Sequence, residues 1–189
     1  MQNIDIINLS KSYGDKQVLR NLSLTLPTGA PVCLMGESGC GKTTLLRILA
    51  GLETADSGEI RGLPPSALLF QEDRLLPEFS VQSNLRVLPG EKRFRDKIPL
   101  YLDMLGLSGE LHTRVLDLSG GMKRRVALLR ACLTDAPLLL LDEPFTGLDA
   151  ESKEKAAAFI RHVQRDRSVI LVTHDERDVS LLCAHTVRL

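Results

Sequence analysis

Two hydrophobic patterns divide this chain. Residues 4–9 and 22–26 alternate apolar with polar positions, the period of strands that bury one face and wet the other, with 12–16 as the turn between them. Residues 58–61 offer a further short strand of this antiparallel set. Elsewhere the apolar residues gather in short runs at 30–35, 67–70, 138–141 and 169–173, as strands do when a parallel sheet is covered on both faces. Helical segments come between them at 45–50, 123–133 and 150–164, and 185–189 reads as a last strand. This alternation predicts an α/β fold: a parallel sheet flanked by helices, an antiparallel β layer beside it, and a small helical lobe. The lobe is built from 80–88, 92–105 and the segment that begins at Glu110, so that 72–133 lies within a single domain spanning 1–189.

Composition narrows the function classes. Apolar residues make up 43% of the chain, and 24 basic residues balance 24 acidic ones, which excludes the strongly basic field of a sequence-independent nucleic-acid binder. No apolar stretch reaches the roughly 18 to 20 residues that span a bilayer, and the N-terminus lacks a charged-then-apolar signal pattern. A cytoplasmic protein is expected. Cys33, Cys40, Cys132 and Cys183 show no C-x-x-C spacing, so they read as free thiols, three of them structural.

The chemistry is concentrated in Gly36-Glu37-Ser38-Gly39-Cys40-Gly41-Lys42-Thr43-Thr44, which has the spacing G-x-x-x-x-G-K-[ST] between a strand and a helix. That order aims backbone N–H groups and the positive end of a helix dipole at one anion. Gly36, Gly39 and Gly41 allow positive φ angles and close approach of the backbone to phosphate oxygens, where a Cβ would collide. Lys42 supplies a compact charge for β and γ phosphates, and the Thr43 hydroxyl is placed to ligate Mg²⁺. The ligand implied is a nucleoside triphosphate. A second motif, Leu138-Leu139-Leu140-Leu141-Asp142-Glu143, ends an apolar strand in two acids, with Pro144 following. Asp142 there can hold Mg²⁺ through water and Glu143 can face the attacking water.

Leu118-Ser119-Gly120-Gly121-Met122, directly before the basic helix at 123–133, resembles the LSGGQ signature of ATP-binding cassette (ABC) ATPases. The other pieces fall in that family's order. Tyr13 is similar to the aromatic that stacks on adenine, Gln71 to the Q-loop glutamine, Gly147-Leu148-Asp149 to the D-loop, and His174 to the switch histidine. Met122 stands where a glutamine is usual, and Thr146 where a Ser-Ala pair is common before the D-loop. The stretch 72–117 leaves room for only a small helical subdomain, and no regulatory domain is expected after 185–189.

The resemblance implies an ATPase using ATP and Mg²⁺. In it Lys42 carries the phosphate charge, Glu143 polarises water, and His174 steadies the γ-phosphate. Gln71 senses Mg²⁺ and the water, with Thr43 and Asp142 on the metal. It also implies that Ser119, Gly120 and Gly121 close on ATP held by a second cassette, either another copy or a paralogue, with Asp149 at the junction. Phe70-Gln71-Glu72-Asp73-Arg74-Leu75-Leu76-Pro77 resembles a stretch of importer subunits of the nitrate, sulfonate and taurine type, where a coupling helix of the membrane partner docks. The expected partners are therefore transmembrane permease subunits and an extracytoplasmic solute-binding protein, with the chain peripheral on the inner face of the membrane. A soluble relative acting on nucleic acid or ribosomes is the alternative, disfavoured by zero net charge and by the absence of a sustained heptad in 72–117.

Overall fold

The computed structural model describes residues 3–87, 94–164, 167–182 and 185–189. In chain order its strands are β1 (Ile4–Tyr13), β2 (Lys16–Leu26), β3 (Val32–Met35), β4 (Ser57–Arg61), β5 (Ser66–Leu69), β6 (Leu138–Asp142), β7 (Ser168–Val172) and β8 (His185–Arg188). The helices are α1 (Lys42–Leu49), α2 (Val81–Arg86), α3 (Ile98–Met104), α4 (Gly120–Cys132), α5 (Ala150–Val163) and α6 (Glu176–Leu182).

The leucine run explains the architecture. Side chains alternate along a strand, so Leu138 and Leu140 enter one apolar cluster with Ile170, Val32, Leu34 and the α1 residues Leu45 and Leu46. Leu139 and Leu141 enter the other, with Val169, Leu171, Val126, Leu129, Phe159 and Ile160. All four leucines are fully buried, and each contributes about 1.5–3 kcal/mol relative to exposure. The strands pair in parallel in the order β5-β6-β7-β3-β8, and β2-β1-β4 form the antiparallel sheet that covers the α1 side. The α/β class and the antiparallel layer are as the pattern predicts.

Element boundaries shift for identifiable reasons. The α1 helix starts at Lys42 rather than at 45, because Gly41 takes the left-handed conformation at its N-cap. The α4 helix starts at Gly120 rather than at 123, with the Ser119 hydroxyl accepting the Met122 N–H at 3.2 Å as its cap. The β1–β2 hairpin stays paired as far as Tyr13 and Lys16, which shortens the turn to Gly14 and Asp15. Past Glu110 the chain forms only 3₁₀ turns (Glu110–His112 and Val115–Asp117), since Gly109 is left-handed and Thr113 and Arg114 are extended. The helix α6 has no counterpart in the sequence pattern. Leu88 and Lys92, at the ends of two expected helices, and Cys183 lie outside the described residues. Cys33 and Cys132 are buried, and desolvation pushes both thiols up to about 12. No helix among the described residues is long and apolar enough to cross a membrane.

One buried amide holds the segment after β5 against the lobe. Asn84 is fully buried, its Oδ1 accepts the Leu76 N–H at 2.7 Å, and its Nδ2 donates to Leu76 O and Ser80 O at 3.0 Å each. Asn84→Ala leaves the Leu76 N–H without its partner, while Leu76 O keeps the Phe79 N–H at 3.2 Å, so we expect a loss of about 1–3 kcal/mol in urea unfolding at unchanged m-value. A loss below about 0.5 kcal/mol would mean that this segment is held by other contacts.

Candidate functional site

The loop between β3 and α1 is shaped by backbone constraints. Gly39 and Gly41 have φ of 83° and 101°, as expected, and a Cβ on Gly41 would come within 2.6 Å of Leu19 Cδ2. Gly36 is not at positive φ. Its need is for space: a Cβ there would lie 2.7 Å from Cys40 Sγ and 3.0 Å from Leu189 O. Lys42 is 8% exposed and its Nζ donates to Gly36 O at 2.7 Å and Glu37 O at 2.8 Å. Two of three ammonium protons thus brace the loop, and the charge is held directly beneath it.

Parallel strands discharge their polar residues at their C-terminal ends, in the crevice where ligands of open α/β sheets bind. A cavity of about 370 Å³ lies there. It is lined by Ser38, Gly39, Gly41, Lys42, Thr43 and Thr44 from the loop and α1, by Gln71 after β5, by Asp142 and Glu143 at β6, and by His174 after β7. Lys16 and Val18 of the β1–β2 hairpin complete one wall.

Asp142 is 3% exposed, and burial pushes its carboxyl above the usual range while a hydrogen bond from the Thr43 hydroxyl opposes the shift. Its Oδ1 is buried without a hydrogen-bond partner. Glu143 is left-handed, at φ 51°, and its N–H donates to Val172 O at 3.0 Å. Its Oε1 lies 2.8 Å from His174 Nδ1, and Thr146 Oγ1 donates to its Oε2 at 3.4 Å. The hydrogen bond to Glu143 raises the His174 pKa above the ordinary histidine value, so this pair favours imidazolium.

Tyr13, Ser119, Gly120, Gly121 and Asp149 are not among the residues lining this cavity. Tyr13 is 45% exposed, donates its hydroxyl to Glu53 Oε2 at 3.2 Å, and lies 5.3 Å (ring centroid) from the Lys11 ammonium, which pairs with Glu53 at 2.8 Å. Asp149 caps α5, accepting the Ser152 N–H at 2.7 Å, a bond that lowers its pKa. Gly121 sits against the 147–149 turn, since a Cβ there would be 3.4 Å from Gly147 O and from Leu148 Cδ2. Glu37 faces a neighbouring pocket with Gly36, Ser38 and His174. Cys40 Sγ lies 3.8 Å from Lys42 Nζ.

Sequence reasoning missed two charged networks. Arg124, 4% exposed, meets the backbone just past β5 and at the end of β6; Lys153 pairs with Asp178 at 2.7 Å and Asp175 at 3.3 Å, tying the His174 segment to α5. Asp178 in turn accepts the Thr173 hydroxyl at 2.8 Å. A signal for Arg124 was present: it precedes Ala127 and Leu128 by three and four positions, on the face of α4 that is buried.

The ABC transporter family model matches residues 19–146. The chain is 40% identical over 197 residues to the sulfate/thiosulfate import ATP-binding protein CysA of Neisseria meningitidis, covering 93% of this chain and 55% of the relative. It is 40% identical over 183 residues to the aliphatic sulfonates import ATP-binding protein SsuB 1 of Paracoccus denitrificans, covering 95% and 76%. It is 38% identical over 198 residues to the Nod factor export ATP-binding protein I of Rhizobium meliloti, covering 95% and 59%. The chain thus spans about half the length of the sulfate/thiosulfate relative and three quarters of the sulfonate one. With the matched span running from β2 through Glu143 and taking in the glycine loop, Gln71 and the Ser119–Gly121 turn, the chain belongs to the ABC transporter family.

Proposed function

We propose that this chain is the ATP-binding and ATP-hydrolysing subunit of an ABC transporter, a single cassette with its helical lobe at 72–133. The observation that carries this reading is the convergence of Lys42, Thr43, Gln71, Asp142, Glu143 and His174 on one cavity at the strand ends. The loop amides and Lys42 bind the β and γ phosphates. Tyr13 offers its exposed ring to adenine from the hairpin that also contributes Lys16 and Val18 to the cavity wall. Glu143 orients and deprotonates water, and Gln71 faces it from the lobe side. Glu143 holds Nδ1 of His174, which leaves Nε2 for the γ-phosphate.

The donor set fits Mg²⁺. A buried carboxylate oxygen of Asp142 lacks a partner, and the Thr43 hydroxyl is beside the same carboxylate. Among the described residues no cluster of three His, Cys, Asp or Glu side chains is arranged to hold a metal, so Asp142, Thr43 and Gln71 would bind the ion together with water and substrate oxygens. When bound, the ion neutralises charge on the phosphoryl oxygens.

Ser119, Gly120, Gly121 and Asp149 lie outside this chain's own cavity and serve a second cassette, a copy or a paralogue, in a two-fold pair joined by ATP. Permease subunits are the membrane partner, met by 70–77 at the inner face, with an extracytoplasmic solute-binding protein on the far side and no nucleic acid involved. Import is the direction named for CysA and SsuB 1. A relative of similar identity is named for export, which accords with our reading that direction and solute reside in the membrane subunits. Copurification from native membranes tests this assignment: a permease should accompany the chain, whereas ribosomes or nucleic acid in its place would overturn it.

Lys42→Ala should abolish ATP binding in calorimetry while circular dichroism stays unchanged. Affinity near that of the unmodified chain would remove Lys42 from the phosphate site.

Glu143→Gln should retain Mg-ATP and lose about 10²- to 10⁴-fold in turnover, the range for a missing general base. The variant should therefore accumulate as an ATP-bound dimer in size-exclusion chromatography with light scattering, and Ser119→Arg in the same background should disperse it. Hydrolysis at the unmodified rate would show that Glu143 is not the catalytic carboxylate.

The same variant should drop the His174 pKa toward the ordinary value of about 6.5, read by NMR titration of the ring. The sign is fixed by linkage. A raised histidine pKa contributes stability that is complete below the ordinary value and fades as pH rises through the folded one, so the loss in Glu143→Gln should be seen at acid pH only. An unchanged titration would mean that Glu143 does not hold the ring in solution.

A further inference from the structure

The guanidinium of Arg124 lies between two segments that the proposed reaction needs in register. Its Nη1 donates to Phe70 O at 2.8 Å and Gln71 O at 3.1 Å, and pairs with Asp73 Oδ1 at 3.1 Å. Its Nη2 donates to Asp142 O and, at 2.8 Å, to Glu143 O. We propose that Arg124 is a positioning residue for hydrolysis: one buried guanidinium locks the Gln71 segment to the Asp142–Glu143 segment and carries both on the helix whose first turn is Ser119–Gly121. This inference rests on the roles given above to Gln71 and Glu143.

Three features set this arginine apart from a generic buried ion pair. Four of its five acceptors are backbone carbonyls, two from the end of each of the neighbouring strands β5 and β6, and only one is a carboxylate. Its Nε is buried without a hydrogen-bond partner, so the pose follows the four carbonyls rather than the fullest bonding of the side chain. Glu143 sits at positive φ, a conformation that costs a non-glycine residue energy unless its surroundings impose it. Those surroundings are the Val172 carbonyl on its N–H and, on its C=O, the Thr146 N–H at 3.2 Å together with the shorter bond from Arg124 at 2.8 Å. A planar fork that stays charged at every accessible pH can hold two segments at a fixed spacing, whereas a single ammonium cannot.

Arg124→Met and Arg124→Lys test the proposal on the full chain. The Met variant removes charge and donors at similar length, and the Lys variant keeps a charge for Asp73 but has one nitrogen where Arg124 offers two. Both should bind ATP within about threefold of the unmodified chain, because the loop and Lys42 are untouched. In ATPase assays kcat should fall by at least about tenfold with KM nearly unchanged, as for displacement of a reacting group by a fraction of an ångström. The His174 ring resonance, assigned by a His174→Gln control, should move in both variants, since it reports the 2.8 Å contact with Glu143. If the Met variant does not fold, the Lys variant carries the test, and if basal turnover is too slow to compare, the histidine resonance decides. A kcat within twofold of the unmodified chain with an unmoved resonance would overturn the proposal, whatever happens to stability. Full turnover in Glu143→Gln would instead defeat the role of Glu143, and a moved resonance in Arg124→Lys would still establish the positioning.

Discussion

Covering a parallel sheet on both faces leaves its strands no place for polar side chains except their ends. In this chain the antiparallel layer and α1 take one face, and α4, α5 and the lobe take the other. Strands as apolar as β6 and β7 are the consequence, and so is the crowding of chemistry at one rim, where Gln71 lies just past β5, Asp142 and Glu143 end and follow β6, and His174 lies just past β7. The site is therefore a product of the same burial that stabilises the fold. Its geometry is inherited from strand spacing, and no loop has to find it unaided.

Charges at that rim are expensive, and the structure meets them mainly with backbone dipoles. Lys42 gives two protons to carbonyls of its own loop, and Arg124 gives four bonds to carbonyls of two others. Carbonyls are acceptors that neutralise nothing, so the positive charge of Lys42 remains available to an anion while its position is fixed. Asp142 is the converse case: burial disfavours its charge and leaves one oxygen unpartnered, a cost that binding of a cation would relieve. A site held short of electrostatic satisfaction in this way is selective for the ligand that completes it.

Legibility in the sequence followed the range of the forces involved. The leucine run, the glycine loop and the α/β alternation are local patterns, and the sheet they describe is the one found. Helix starts were misplaced at α1 and α4 because their first turns, Lys42-Thr43-Thr44 and Gly120-Gly121-Met122, carry no apolar stripe and follow the caps Gly41 and Ser119, so apolar periodicity recognised each helix one turn late. Gly36 is constrained by space and not by φ, from Cys40 in its own loop and from Leu189, a neighbour far off in sequence that no local pattern shows. Within the basic run Lys123-Arg124-Arg125, only the helical register set by Ala127 and Leu128 distinguishes the middle residue. What its guanidinium touches belongs to segments about 20 and 50 residues away, which no local pattern records.

The residues absent from the cavity lining are as informative as those present. The cap of α4 at Ser119 and the cap of α5 at Asp149 belong to neighbouring turns, brought together by the contact of Gly121 with Gly147 and Leu148. Both side chains spend their acceptors on helix N-termini, which fixes two sets of first-turn N–H groups on one surface. In the proposed pair that surface meets the partner's γ-phosphate, while a little over one turn further along α4 Arg124 grips the chain's own Gln71 and Glu143 segments. The same helix then serves both nucleotides, one directly through its first turn and the other through the segments that its arginine holds. A displacement imposed at either end has no flexible element in which to dissipate, so the two sites would report on each other through α4 without any wider rearrangement of the sheet.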